Sequence, residues 1–434
     1  MSEKIEVFHP ILAAKLEKDV FEVAGWGVLS AVLFGVLSIW AFSIGNRMPK
    51  LPIAMKEEVP DRKKRIDIFI KDTRRLLIDS YNKFSMKQYT KVGNLDEIQI
   101  SIVNKKLNPS LLSRISARMF HSAASAENDH WLDIATEHVH STVVWTENLK
   151  KWPAVLRPLV YRFVKGRGYM VQRFEEGKAL VAQTLQEKKA NGDKPLNSPQ
   201  TLLDYLYEGP LGPDDVEAHT IAQINLCVAA IQSMAATVTQ CLMDLATHPE
   251  YVPELLAEMQ TAIEKNGGVV DKQVLTELWK LDSFIKETQR LNPPDLTSFQ
   301  RKALSDMTLS NGLRIPKGAR IVLPTAAINM DREFFQDPET FDGFRYYKLR
   351  TASEEARNTN QMVTVGKKDL TWGYGRHACP GRYIAEVAMK LVVIEFLTRY
   401  EIRLPDGVTE RPKNIEFEGL VIPDPEWELT MKSR

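Results

Sequence analysis

One of the chain's three cysteines, Cys379, sits between a glycine-rich run and an apolar segment of helical periodicity. Around it stand Trp372, Gly373, Gly375, His377, Pro380, Gly381 and Arg382. Proline suits the first turn of a helix, where its missing N–H costs nothing. Cys379 is therefore expected just ahead of a helix N-terminus, where backbone N–H groups and the helix dipole favour a thiolate. The glycines remove side chains and let a flat, bulky group approach the backbone. A thiolate presented in this way is suited to ligating haem iron, where its electron donation favours O–O cleavage. The bland alternative is a glycine-rich turn around a buried structural cysteine.

Two further sets of residues could take part. Glu287 and Arg290 place a carboxylate and a guanidinium on one helix face, a spacing that carries little information by itself. Upstream, Ala229, Ala230, Gln232 and Ser233 lie in the middle of a long apolar helical pattern.

Taken together these segments resemble the cytochrome P-450 superfamily. The cysteine loop is similar to its haem-binding signature FxxGxRxCxG, with Trp372 at the phenylalanine and His377 at the arginine. The resemblance implies that Cys379 is the axial ligand of haem b and that Trp372 shields the sulfur. It implies too that His377 donates to a propionate, and that Gly375 and Arg301 belong to the cofactor site. The stretch 281–293 resembles the family's K-helix, which would join Glu287 and Arg290 to Arg345 in a buried network under the haem. Residues 229–234 match the family's oxygen-activating motif (A/G)Gx(D/E)TT with Gln232 for the acid and Ser233 for the first threonine. Ser233 and Gln232 are thus expected to relay protons, although Gln232 cannot ionise. The likeness is greatest to fungal monooxygenases of terpenoid secondary metabolism, which take electrons from an NADPH-dependent reductase and one oxygen atom from O2.

The elements that must position these residues follow from composition and pattern. The chain has 434 residues, 44% hydrophobic and 26% charged, with a formal net charge of +1. That is ordinary for a globular protein and offers nothing to attract nucleic acid. Residues 23–45 carry no charge. As a helix they measure about 34 Å, enough to cross a bilayer core. Basic residues from Arg47 to Arg65 follow, so the remainder is expected on the cytosolic side. The expected organisation is a lumenal segment 1–22, a single-pass anchor 23–45 in the endoplasmic reticulum membrane, and a haem-thiolate domain 46–434.

Beyond the anchor, helices are expected over 62–84, 111–120, 131–151, 156–188, 212–247, 251–265, 272–291 and 383–400. Short strands are expected near 307–309, 313–315, 320–324, 401–404, 414–417 and 426–431, with alternation at Ile98, Ile100 and Ile102 suggesting one more. The fold class is mainly α with small β-sheets. The pocket stretches, 226–229, 296–299 and 419–421, carry no charge, which suits a lipophilic small-molecule substrate.

Only about 26 residues separate 84 from 111, where the family carries a small sheet and helices over the haem. The N-terminal part therefore reads as incomplete, with open sheet edges expected near 307–324 and 414–431. The alternative function is a shortened, catalytically impaired haem- or lipid-binding remnant.

Overall fold

A computed structural model describes residues 98–100, 108–190, 201–209, 211–417, 419–424 and 426–434. The uncharged run 23–45, the basic residues behind it, the helical pattern at 62–84 and most of the 84–111 connection lie outside these residues. The described chain is mainly helical, with one three-stranded and three two-stranded sheets.

The longest described helix, Val216–Thr247, forms because 32 residues pass without proline or glycine. Asp215 caps its start by accepting the Ala218 N–H, and Pro249 ends it. It is long and apolar enough to cross a bilayer, but most of it is packed inside the molecule. Helices Asn108–Phe120, Arg167–Ala190, Trp279–Leu291 and Arg382–Arg399 pack around it. Cys227 and Cys241 are buried within this core, and desolvation pushes both thiols up, Cys227 to about 12. They are packing residues.

The structure corrects the expected elements at several points. The helix expected over 156–188 is two, Arg157–Val160 and Arg167–Ala190. Gly166 turns the chain at φ +100, where an added Cβ would lie 2.8 Å from the Trp145 nitrogen. The pattern at 272–291 also splits, into Lys272–Glu277 and Trp279–Leu291, because Glu258 accepts the N–H groups of Lys280 and Leu281 and starts a new helix there. Helix Leu202–Glu208 was legible in Thr201 and Asp204, which cap each other's backbone, but periodicity alone does not find so short an element.

Strand Ile98–Ile100 pairs antiparallel with the stretch Leu429–Met431, whose strand Leu429–Ser433 pairs on its other side with Tyr400–Arg403. Leu429–Ser433 is thus a centre strand, not the open edge expected there.

Helix Trp279–Leu291 holds the layers together. All ten residues from 281 to 290 are buried. Glu287, with no exposed surface, accepts Nε and Nη2 of Arg290 at 2.9 and 2.8 Å and Nε of Arg345 at 3.1 Å. Arg290 Nη1 donates to the carbonyls of Asn329 and Pro338. Carboxylate and guanidinium groups survive burial because every charged atom finds a partner. Glu287→Ala should therefore strand Arg290 and cost about 3–5 kcal/mol. Denaturant unfolding measures this; a loss below about 1 kcal/mol, the range of an exposed pair, would contradict burial.

Candidate active site

The cysteine loop is built by three backbone constraints. Gly373 and Gly375 take φ +74 and +63, a region that side chains resist. The Cys379 N–H donates to the Trp372 carbonyl at 2.7 Å, which closes the loop on itself. Helix Arg382–Arg399 then begins immediately behind the cysteine. The backbone N–H groups of Gly381 and Arg382 and the Arg382 charge act on the Cys379 thiol in favour of the thiolate. Burial nonetheless outweighs all three and pushes the thiol above its ordinary value. The helix start alone therefore does not deliver the thiolate expected from sequence. A cation at the sulfur is needed to deprotonate it, as ligation to a metal does outright.

Haem fits this donor set. Cys379 is half-buried beside the Gly381 and Arg382 amides. A Cβ built on Gly375 would meet nothing within 4 Å, so that face of the loop is open to a flat group. Trp372 is fixed by its indole N–H, which donates to the Met362 carbonyl at 2.8 Å. Arg301 and Arg376 both act electrostatically on His377, so the strand Ser298–Lys302 brings its guanidinium to the cysteine loop. A bulge does this: Phe299 sits at φ +54, the ladder slips between Ser298 and Arg301, and Arg301 stacks on the Phe299 ring at 4.3 Å.

His377 stands beside two guanidinium groups. Desolvation, then Arg301 and Arg376, holds its ring below the ordinary value, and its Nε2 accepts Nε of Arg376 at 3.1 Å. It is a neutral ring. The positive charge that a propionate would meet is carried by Arg301 and by Arg376, one residue before the signature position.

On the long helix Gln232 and Ser233 are exposed, as is Ala229. The Ser233 hydroxyl donates to the Ala229 carbonyl at 2.9 Å. To donate elsewhere it must give up that bond. Thr237 donates to the Ser233 carbonyl and continues the series. Among the described residues no hydrogen bond joins Gln232 or Ser233 to the cysteine loop.

The chain belongs to the cytochrome P450 family. The family profile, described as Cytochrome P450, matches residues 110–431. A cytochrome P450 monooxygenase of Emericella nidulans is 35% identical over 366 residues, covering 82% of this chain and 67% of that protein. An ent-kaurene oxidase of Gibberella intermedia is 32% identical over 343 residues, covering 78% and 62%. The chain thus spans about three fifths to two thirds of the length of these relatives. A retinoic-acid-bound cyanobacterial CYP120A1 superposes with TM-score 0.61 at 16% identity, over 85% of this chain and 78% of that one, which shows the shared fold. Cytochrome P450 membership implies haem iron with a thiolate ligand, O2 and a redox partner.

Two P450 pocket stretches expected from sequence are fastened together. Leu296 N–H donates to the Gly419 carbonyl at 2.7 Å, and Val421 N–H to the Pro294 carbonyl at 3.0 Å. Between them Asp295 bridges to Leu420. Sequence reading passed over this carboxylate because it lies one residue outside the uncharged stretch. Burial alone pushes its carboxyl up to about 6. The folded protein therefore holds this proton to higher pH than the unfolded chain does. Ionisation opposes folding, so stability falls as pH rises from about 4 to about 6 and is level above. Asp295→Asn should raise stability by about 1–3 kcal/mol near pH 8 and change it little near pH 4. Denaturant unfolding at the two pH values reads this out; an equal effect at both would remove Asp295 as the titrating group.

Proposed function

We propose that this P450 inserts one oxygen atom from O2 into a lipophilic, terpenoid substrate of secondary metabolism, using haem b and electrons from an NADPH-dependent reductase. The observation that carries the reading is the Cys379 thiol, held at a helix start by a loop whose Gly375 has open space where a side chain would be. The fungal relatives named as ent-kaurene oxidases, near one-third identity, support the terpenoid class.

Bound haem would supply the activation of O2. The protein's residues would do the rest. Cys379 ligates the iron through its sulfur, and Trp372 keeps water from it. Arg301 and Arg376 bind the propionates, and His377 adds a neutral ring donor. Gly375 leaves room for the macrocycle. Gln232 orders water, and the Ser233 hydroxyl, once released from the Ala229 carbonyl, passes protons along it. The apolar stretches near 226–229, 296–299 and 419–421 bind the substrate.

The membrane reading places the uncharged run 23–45 as a single anchor in the endoplasmic reticulum, with 46–434 cytosolic. The exposed Val155, Leu159 and Phe163 support contact with a lipid surface, since Arg157, Arg162 and Arg167 lie between and beside them. A second reading, a haem- or lipid-binding protein with impaired turnover, is favoured by the short connection at 84–111 and by Gln232 in place of an acid.

Purified full-length protein should give a thiolate-type reduced carbon-monoxide spectrum, and Cys379→Ser should abolish it, because an alcohol is a far weaker donor. An unchanged spectrum in the variant would move the ligand elsewhere. Turnover separates the two readings: with reductase and NADPH, Ser233→Ala should lower product formed per NADPH about tenfold or more while haem content stays constant. Coupling equal to the parent's would reduce Ser233 to a packing role. A parent with haem and no turnover would favour the impaired protein.

A further inference from the structure

Asp282 is a second buried carboxylate on helix Trp279–Leu291, 1% exposed and one turn ahead of Glu287. Its partners come from three separate parts of the chain. Lys390 Nζ, on the helix that follows Cys379, lies 2.7 Å from Oδ1. Arg350 Nη1 donates to Oδ2 at 3.1 Å, and the Met362 backbone N–H donates to the same oxygen at 2.9 Å. The Met362 carbonyl, on the other side of that residue, accepts the Trp372 indole at 2.8 Å. The Trp372 carbonyl in turn accepts the Cys379 N–H at 2.7 Å. A continuous path of hydrogen bonds and covalent backbone thus runs from Asp282 to the cysteine.

We propose that Asp282 is a positioning residue for the Cys379 thiolate, acting through Met362 and the Trp372 indole. Asp282 touches neither the sulfur nor any site a substrate would reach. It fixes the Met362 backbone, which fixes the indole of the residue whose carbonyl holds the Cys379 N–H, and it holds the cysteine helix through Lys390. Lys286 reinforces the same segment by donating to the Gln361 carbonyl at 2.7 Å, and Arg382 by donating to the Val363 carbonyl at 3.2 Å. The indole link belongs to this chain: the phenylalanine of the family signature has no donor to offer Met362. Sulfur held by a rigid shell keeps its ligand bond, so a loosened shell should let the thiolate-type spectrum be lost sooner. The inference rests on the haem-thiolate reading.

The test uses full-length, haem-loaded protein and follows the reduced carbon-monoxide spectrum with time, alongside thermal melting. Trp372→Phe installs the family residue, so it should fold, while removing the donor to Met362. Asp282→Asn with Lys390→Met removes the carboxylate and one of its cations together, leaving Arg350 its bond to the Arg357 carbonyl. Each should speed the decay of the thiolate-type band at least threefold, and combining them should add little. Melting points that fall while decay matches the parent's would make Asp282 a stability residue only and overturn the proposal. Multiplied effects in the combined variant would overturn the shared path. If the double variant does not fold, Asp282→Asn alone takes its place: parent-like decay overturns the proposal, and decay as fast as that of Trp372→Phe supports it. A parent without any thiolate-type band overturns the proposed function and this inference with it.

Discussion

Buried charge is the constraint on which this P450 depends. Helix Trp279–Leu291 buries its residues 281–290 without exception, and among them are Asp282, Lys286, Glu287 and Arg290. A charge in that environment is tolerated only when its partners are complete. Glu287 collects Arg290 and Arg345, and Asp282 collects Lys390 and Arg350, with Lys286 paired to Asp369. Arg290 is on the helix itself, but Arg345 and Arg350 stand on helix Arg345–Ala352, Asp369 in the loop ahead of the cysteine and Lys390 on the helix behind it, so one helix fixes three other segments in one arrangement. Apolar packing would bring the same segments together, but with less definition of angle and register.

The cysteine loop inherits its shape from that scaffold. Its own contribution is backbone geometry: two glycines at positive φ, one closing hydrogen bond and a helix start. Two effects compete at the sulfur. Amide dipoles and the Arg382 charge favour the thiolate, and desolvation opposes it, and desolvation is the larger. The protein therefore provides a site that becomes a strong ligand on meeting a metal rather than a free reactive thiolate. The loop's charged surface follows the same division of labour, with Arg301 and Arg376 carrying positive charge and His377 neutral between them.

The long helix Val216–Thr247 combines packed positions with exposed ones. Its buried positions, among them Ile231, Met234 and Val238, sit in the main core, whereas Ala229, Gln232 and Ser233 are exposed. Ser233 satisfies its hydroxyl on its own helix, as serine in a helix interior often does. The polar residues that could move protons are thus placed by the 3.6-residue period, while packing against the cysteine helix sets their depth.

Much of this was legible in the sequence, for physical reasons. The long helix, the helix behind Cys379 and the hairpin at 307–315 show in apolar period and turn residues, which are local properties, whereas the pairing of Arg320–Leu323 with Ser298–Lys302 does not. The cysteine signature and the Glu287, Arg290, Arg345 set are legible through their resemblance to the P-450 family, since the spacing of an acid and a base on a helix says little by itself. The alternation at Ile98 and Ile100 was enough to suggest a strand, but only the fold could say that it pairs with Leu429–Met431 and so protects a strand expected to be an edge. The breaks at Gly166 and Leu278 depend on what lies across from them, the Trp145 backbone and the Glu258 carboxylate. Asp282, Asp295 and Arg376 look like ordinary surface charges in the sequence. Tertiary structure decided their roles, because burial and partners from distant segments, not residue type, determine what a charged side chain does.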